Sequence, residues 1–445
     1  MHHTMAAAAP ARTVTSKRPA VAVKSDVKTG HDIAYVTRGH SSGCAGAMAY
    51  YTRTGDPPGT WEGRGCAALG VSGTVEAAAA ERLYQEGVAP GGERIIQHAA
   101  PKTGEDQAAA EALAIARYRE EHPFACASEI NVERTRIRAI SPGIARPYYD
   151  VTSSASKSVS VLHASLRVAA GQARQAGDHV KAAAWDGEAQ AIEDALLDSV
   201  REGLELFEAV ACYVRTGHHS ATTGEWRDGK GLVATSWLHT ISRDGDPQLH
   251  VHLAVLNAVQ RADAVDDRWR AADGQHFYQL RHLYGVTVDR AFEQRLLAMG
   301  YAITERADGN GAEIGGVSPQ VMDRFSSRAR AIDDRLRTWA DQYTRKHGKP
   351  PSRRTIYLMG QEIAKDTRRP KAEARRMAGG VVTGHEVTDE ERLKAWEDQT
   401  TADELQVLST VYAEAKAYAG RSARRPGLTA ADKARAARIA VAEAQ

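Results

Sequence analysis

A chain of 445 residues can form one large domain with an appendage, or two domains. Its 58 basic and 56 acidic residues leave a formal net charge of only +2, so affinity for nucleic acid has to come from local clusters of charge. No apolar run approaches the length of a transmembrane helix, and we expect no membrane insertion. The four cysteines are scattered without CxxC spacing, a pattern that fits a reduced cytoplasm and indicates neither a disulfide framework nor a cysteine zinc site.

The N-terminal residues 1–28 form an Ala-, Pro- and Lys/Arg-rich tail that we expect to be disordered. The first predicted strand is DIAYVTRG, residues 32–39. A linker of small residues, SSGCAGA, then leads to the adjacent pair Tyr50–Tyr51 and to a Gly/Pro turn, TRTGDPPG. Adjacent tyrosines are most often packing residues, and a tyrosine nucleophile needs strong activation because its pKa is about 10.

The segment RPYYDVTSSASKSVSVL predicts a strand that ends near Thr152, a serine-rich turn and a helix from about Ala155. Asp150, near the end of this strand, can orient a ligand histidine or accept a proton, or it can serve only as a turn or capping residue. We interpret the preceding pair Tyr148–Tyr149 as packing residues. Residues 178–207 then predict a long amphipathic helix, which is followed by a strand in AVACYVRTG and a polar turn in GHHSATTGEWRDGKG.

Three histidines surround a predicted β-hairpin. VATSWLHTI and LHVHLAV read as its strands, and RDGDPQ carries turn chemistry. Because side chains alternate along a strand, His250 and His252 project from one face while the apolar residues between them are buried. A hairpin centred near Gly245–Asp246 places His239 across from His252 and diagonal to His250, so that all three rings meet. Each histidine alone is more often an ordinary strand residue, but three that converge favour a metal site with open coordination positions.

Beyond Ala258 the pattern is mostly helical, with a short two-strand piece in YAITERADGNGAEIGG. From Pro350 the chain becomes basic and Pro-interrupted, and we predict a domain boundary near residues 345–350. The predicted organisation is a tail (1–28), a catalytic domain (29–348) and a basic, mostly helical extension (349–445). Clustered arginines that we expect to contact nucleic acid, or else to form a solvated basic face, are Arg134, Arg136, Arg138, Arg353, Arg354, Arg368, Arg369, Arg375 and Arg376.

Three segments together resemble the conjugative relaxases of the TrwC/MobF class in the HUH endonuclease superfamily. They are YYTRTGDPPGTWEGRGCAALGVSG, YYDVTSSASKSVSVL and HTISRDGDPQLHVH, and the similarity runs from about residue 32 to residue 337. The resemblance implies an α+β fold, an antiparallel palm-like sheet flanked by helices, here followed by a mainly helical C-terminal region. It also implies site- and strand-specific nicking of DNA at a plasmid transfer origin, through a 5′-phosphotyrosine link and a free 3′-OH.

Carried onto this chain by motif, the resemblance assigns His239, His250 and His252 as ligands of Mg²⁺ or Mn²⁺. It assigns Asp150 as the aspartate beside a ligand histidine or the nucleophile, and Lys157 to the turn beside it, where we expect a nucleic-acid contact. Many relatives have two tyrosine pairs in the N-terminal region, whereas this chain has one. We choose Tyr50 as the nucleophile, with Tyr51 as the next candidate.

The partners implied are single-stranded DNA at the nick site with its adjacent hairpin, other relaxosome proteins and a coupling protein. A separate helicase is expected as well, because neither Gly–Lys pair of the chain is followed by the Ser or Thr of a phosphate-binding loop. We therefore expect a chain that nicks but does not unwind DNA. Alternative functions are a rolling-circle replication initiator, a non-catalytic origin-DNA-binding protein and, less favoured, a small-molecule metal hydrolase.

Overall fold

A computed structural model describes residues 24–30, 58–96, 104–122, 127–140, 147–216, 224–242, 246–263, 266–305, 312–367 and 412. Its strands are β1 Lys24–Gly30, β2 Thr60–Glu62, β3 Tyr148–Ser154, β4 Tyr213–Thr216, β5 Glu225–Asp228, β6 Ala234–Ile241, β7 Pro247–Leu256, β8 Val259–Gln260, β9 Trp269–Arg270, β10 Ile303–Glu305 and β11 Ala312–Ile314. Its α-helices are α1 Ala77–Glu81, α2 Gly104–Glu121, α3 Ala127–Ile140, α4 Lys157–Gln175, α5 His179–Val210, α6 Gly274–Ala298, α7 Pro319–Arg324, α8 Ser327–His347 and α9 Arg353–Asp366.

Five antiparallel strands form the main sheet, in the order β1–β3–β7–β6–β2. Its longest strand, β7, lies in the centre, and strict alternation buries Leu249, Val251, Leu253 and Val255 on one face. The remaining strands pair as β4–β5, β8–β9 and β10–β11. The mixed α and β composition, the antiparallel sheet with flanking helices and the helical C-terminal region are those expected from the sequence.

Helices α4, α5 and α6 cover the first face of the sheet and build the larger core with its apolar residues. The opposite face divides into two parts. One end holds a smaller core in which Trp61, Tyr84, Tyr148 and Trp237 are buried. The other end holds the three histidines in place of apolar side chains. The sheet therefore positions a polar site directly beside a packed aromatic core.

Several elements confirm the expectations from sequence. The long helix α5 begins after Asp178, whose side chain accepts a hydrogen bond from the Lys181 backbone N–H and so caps the helix. The two-strand piece after Tyr301 forms the pair β10–β11. The packing role predicted for Tyr148–Tyr149 is confirmed, because these side chains are only 2% and 3% exposed.

Other expectations were wrong. Strand β1 begins at Lys24 and pairs with β3, so residues 24–28 do not belong to a disordered tail. Strand β5 forms inside the segment GHHSATTGEWRDGKG, which we predicted to be a turn. All four residues of β5 are exposed, so the segment has no alternation of apolar side chains that would predict a strand. The predicted strand at residues 32–39 lies outside the described residues.

The C-terminal described region is a helical hairpin. Helix α8 ends at His347, Gly348 follows in the left-handed conformation, and α9 packs back against α8. The break falls within the predicted 345–350 boundary, although the proposed division into domains stays a prediction. No described helix combines the length and the hydropathy that crossing a membrane requires.

Candidate metal centre

His239, His250 and His252 converge on one face of the sheet. Their ring centroids are separated by 5.3 Å (His239 to His250), 5.1 Å (His239 to His252) and 5.2 Å (His250 to His252). One potential ligand nitrogen from each ring lies within 4.8 Å of the others. All three side chains are buried, with at most 5% of each residue exposed. Three neutral imidazoles in this arrangement suit a divalent ion that keeps open coordination positions.

Hydrogen bonds fix the orientation of two of the rings. His250 Nδ1 donates to the Gln248 carbonyl oxygen over 2.8 Å, and His252 Nδ1 donates to Asp150 Oδ1 over 2.8 Å. With the proton on Nδ1, the lone pair of each ring is on Nε2, the form in which imidazole binds metals. The neighbouring groups therefore select the tautomer that a metal site needs, and the residues present fit a bound cation.

Asp150 lies beside the site as a buried carboxylate. Burial alone would raise the pKa of its carboxyl, but the interactions with His252 and with the ammonium of Lys28 outweigh burial and hold that pKa below its ordinary value. Lys28 stands directly opposite Asp150 in the β1–β3 register and forms an ion pair with Asp26 at 3.0 Å. The predicted contact between Asp150 and a candidate ligand histidine is present, which favours the orienting role over a capping role.

The hairpin brings the histidines together in a register different from the predicted one. His239 lies across from His250, not His252, and His252 lies across from Trp237. The strands pair about a centre one residue earlier than predicted, which moves the partner of each β6 residue by two positions, and an irregularity between His239 and Ile241 offsets the pairing near the turn by one residue more. Because the shift moves the pairing by two residues, His239 keeps its face, and the expected convergence of three rings survives the error.

The predicted nucleophiles, Tyr50 and Tyr51, lie outside the described residues. The described region begins again at Pro58, seven residues after Tyr51. A Cβ atom added at Gly59 would lie 2.7 Å from the Trp237 ring, so the backbone passes directly over this indole. Thr60 then pairs with Ser236. Since β2 is antiparallel to β6, Gly59 lies toward the His239 end of β6.

Lys157 does not point to solvent, as a nucleic-acid contact would require. Its Nζ donates to the carbonyl oxygens of Pro247 and Phe325, each over 2.8 Å. Burial lowers the pKa of its ammonium to about 8, against the opposing influence of Asp246 and Glu313. Two of its three N–H donors are thus used within the protein, and we correct the expected DNA contact to a structural one.

The candidate DNA-contacting arginines occupy two helical hairpins. In α3, Arg134 pairs with Glu111 of α2 at 3.1 Å and Arg136 pairs with Glu133 at 3.2 Å, which reduces the charge they offer to a phosphate. The side chain of Arg138 lies outside the described set. At the start of α9, Arg353 and Arg354 are both exposed. Of the remaining arginines, those at 368, 369, 375 and 376 lie outside the described residues.

Sequence reasoning missed three groups around the histidines. The Gln248 carbonyl orients His250, the Thr152 hydroxyl donates to Asp150 Oδ1 over 3.3 Å, and Lys28 faces Asp150. The sequence could have identified Thr152, because it lies two residues after Asp150 on the same strand face. The sequence could not have identified Lys28, because the pairing of β1 with β3 is a long-range contact that no local pattern encodes.

Comparison with known proteins agrees with this geometry. The family model described as TrwC relaxase matches residues 29–381, and the chain belongs to this family. A curated relative is the multifunctional conjugation protein TraI of Escherichia coli, 31% identical over 196 residues that cover 42% of this chain. The match spans only 9% of the length of TraI.

Solved structures share the fold. A conjugative relaxase TrwC in complex with oriT DNA is 21% identical, with a TM-score of 0.52, and the match covers 86% of this chain and 98% of that one. A metal-bound structure of TrwC with oriT DNA is 22% identical, with a TM-score of 0.51 and the same coverage. The architecture built around the histidines is therefore the TrwC relaxase fold.

Proposed function

We propose that this protein nicks and rejoins one DNA strand at the transfer origin of a plasmid or integrative element, for conjugative transfer. The observation that carries the proposal is the cluster of three buried histidines, two of them oriented by second hydrogen bonds, in a member of the TrwC relaxase family. The related structures contain TrwC bound to oriT DNA, which supports the same substrate class.

His239, His250 and His252 are proposed to hold a divalent cation, Mg²⁺ or Mn²⁺. When bound, the cation would supply Lewis acidity that offsets negative charge developing on the scissile phosphate. Asp150 keeps the His252 ring in its ligand tautomer and orientation through the hydrogen bond to Nδ1. Burial of the three rings excludes bulk water from their side of the phosphate.

Tyr50 is the proposed nucleophile, with Tyr51 as the alternative. Eight residues separate Tyr51 from Thr60, and the extended chain between the two spans at most about 30 Å. His239 lies three residues beyond Ser236, the partner of Thr60, or roughly 10 Å along β6. Either tyrosine can therefore reach the histidines, and alternation along the chain would present only one of the two at a time.

The proposed reaction is a transesterification. The tyrosine oxygen forms a bond to phosphorus and the bond from phosphorus to the 3′ oxygen breaks. The tyrosine gives up its phenolic proton, and the departing oxygen gains one to become a 3′-OH. Because the phosphotyrosine retains the energy of the broken bond, the reverse reaction rejoins the strand without ATP.

The proposed partners are single-stranded DNA at the nick site and the hairpin next to it. Exposed Arg353 and Arg354 are proposed phosphate contacts, as are the arginines of α3. Other relaxosome proteins, a coupling protein and a separate helicase complete the proposed set, and the proposed location is the cytoplasm.

The test is a strand-exchange assay. The protein is incubated with Mg²⁺ or Mn²⁺ and a labelled single-stranded oligonucleotide that spans the transfer origin, and a second oligonucleotide with a free 3′-OH is then added. We expect cleavage at one position and transfer of the 5′-phosphorylated fragment to the second strand. A hydrolytic nuclease would cleave without transfer, and a non-catalytic DNA-binding protein would only shift the oligonucleotide in a gel.

A further inference from the structure

The first turn of α4 forms hydrogen bonds with the beginning of β7, which starts three residues before the first histidine of that strand. Lys157 Nζ donates to the Pro247 carbonyl over 2.8 Å, and the Leu249 N–H donates to Ser160 Oγ over 3.1 Å. The Ala155 N–H also donates to the Leu249 carbonyl over 2.9 Å. These contacts hold the peptide groups on both sides of Gln248.

Gln248 matters because its carbonyl oxygen accepts the hydrogen bond from His250 Nδ1 at 2.8 Å. A displacement of this carbonyl would release the ring of His250 or change its tautomer. The orientation of a proposed metal ligand thus depends on the Gln248–Leu249 peptide, whose N–H is held by Ser160 and whose preceding peptide is held by Lys157.

We propose that Lys157 and Ser160 are positioning residues for His250: they fix the Gln248 carbonyl and thereby hold the His250 ring ready to bind the cation. This inference rests on the metal site of the proposed function. Neither side chain touches the cation or the DNA, and each acts only through the backbone of β7.

The same lysine ties the site to the C-terminal helices. Its Nζ also donates to the Phe325 carbonyl at the end of α7, over 2.8 Å. Beside it, Asp246 accepts hydrogen bonds from the Ser327 N–H over 2.8 Å and the Ser327 hydroxyl over 2.9 Å, at the first turn of α8. The one ammonium group of Lys157 thus joins α4 to β7 and to the end of α7.

Positioning differs from ordinary packing in what a substitution changes. Substitution of a packing residue lowers the stability of the whole chain. Substitution of a positioning residue lowers metal affinity in a chain that is still folded. Substitution of groups that orient metal ligands typically costs about 10- to 100-fold in affinity. Metal binding by the purified protein, measured without DNA, separates the two roles.

The experiment compares Mn²⁺ affinity, by calorimetry, of wild type, Lys157→Met and the control Lys181→Met, whose side chain is exposed on α5. Circular dichroism and thermal unfolding of the apo proteins establish folding. We expect Lys157→Met to bind Mn²⁺ about tenfold more weakly, and Lys181→Met to bind as wild type. A folded Lys157→Met with wild-type affinity would overturn the inference.

If Lys157→Met does not fold, Ser160→Ala tests the inference instead. This substitution removes the acceptor of the Leu249 N–H and leaves the lysine in place. We expect weaker Mn²⁺ binding and a loss of the Nδ1–H tautomer of His250 in ¹⁵N NMR spectra. Unchanged affinity and tautomer would overturn the inference. If wild type itself binds no Mn²⁺, the metal site of the proposed function fails and this inference fails with it. Normal binding by wild type and by both folded variants refutes only the inference.

Discussion

His250 is held from two sides, since its Nδ1 is committed to a backbone carbonyl and its ring faces the other two histidines. Replacing it with alanine removes one of three neutral ligands. We expect His250→Ala to lower the rate of DNA cleavage by more than about 100-fold. DNA affinity should fall much less, because phosphate contacts elsewhere supply most of it.

A matched control is His179→Ala, which removes an exposed histidine at the start of α5. Cleavage rates and gel-shift affinities are measured for both variants at saturating Mg²⁺. Wild-type cleavage by a folded His250→Ala would show that the histidine cluster is not the metal site.

Lys157 gives the chain a pH dependence that can be measured without metal or DNA. Its pKa falls from 10.5 to about 8 on folding, because burial disfavours the charged form. Between these values the unfolded chain retains a proton that the folded chain has released, so the free energy of unfolding rises with pH. The shift corresponds to a stabilisation on the order of 3 kcal/mol across the interval.

Urea unfolding of wild type and Lys157→Met at pH 8 and pH 10.5 tests this linkage. The stability of wild type relative to the variant should increase with pH over that range. Parallel pH dependences of the two proteins would show that the ammonium is not buried as described.

At the scale of elements, the backbone conformation of the loop after β2 depends on glycine. Gly63 has a φ of +93°, and a Cβ there would lie 2.4 Å from the Leu232 carbonyl oxygen. Gly70 also has positive φ, +64°, but a Cβ there meets no atom within 4 Å. We expect Gly63→Ala to lower the free energy of unfolding by about 1–3 kcal/mol more than Gly70→Ala. Equal losses in denaturant unfolding would show that the close approach to Leu232 has no energetic consequence.

The hairpin of α8 and α9 carries the proposed phosphate contacts that are most accessible. Arg353 and Arg354 are exposed at the start of α9, so replacing both with glutamine should leave the fold intact. The slope of log affinity against log salt should become shallower by about 1.4 for single-stranded DNA or about 1.8 for duplex DNA. The control Lys181→Gln should leave the slope unchanged. An unchanged slope in the double variant would assign α9 to another role.

Elements with a strong periodic pattern were predictable from sequence, and elements set by long-range pairing were not. Alternation in β7 placed His250 and His252 on one face without reference to any other strand. The register of β6 against β7 differs from the predicted one, because it depends on turn contacts such as Ser242 with Asp246 that the residue pattern does not specify. Exposed β5, with four polar or aromatic residues, carried no signal of its own.

At the scale of the whole molecule, the sequence identified the residues of the site but not the groups that hold them in position. The three histidines and Asp150 were identified from spacing and resemblance, and the structure brings them together. Lys157 was assigned to DNA, because a serine-rich turn with a lysine gives no sign that the side chain will be enclosed by β7, α7 and α8. Only the three-dimensional arrangement shows its partners, Pro247 and Phe325.

The most direct test of the central claim is to find the covalent link. The protein is incubated with Mn²⁺ and a single-stranded oligonucleotide spanning the transfer origin, and a parallel sample contains EDTA. We expect an SDS-stable adduct only with metal, and a nucleotide on Tyr50 in tryptic peptides examined by mass spectrometry. A nucleotide on Tyr51 would move the nucleophile by one residue, and one on Tyr35 would show that the N-terminal region is misaligned. Cleavage without any adduct, or an adduct that forms equally in EDTA, would contradict metal-assisted tyrosine transesterification.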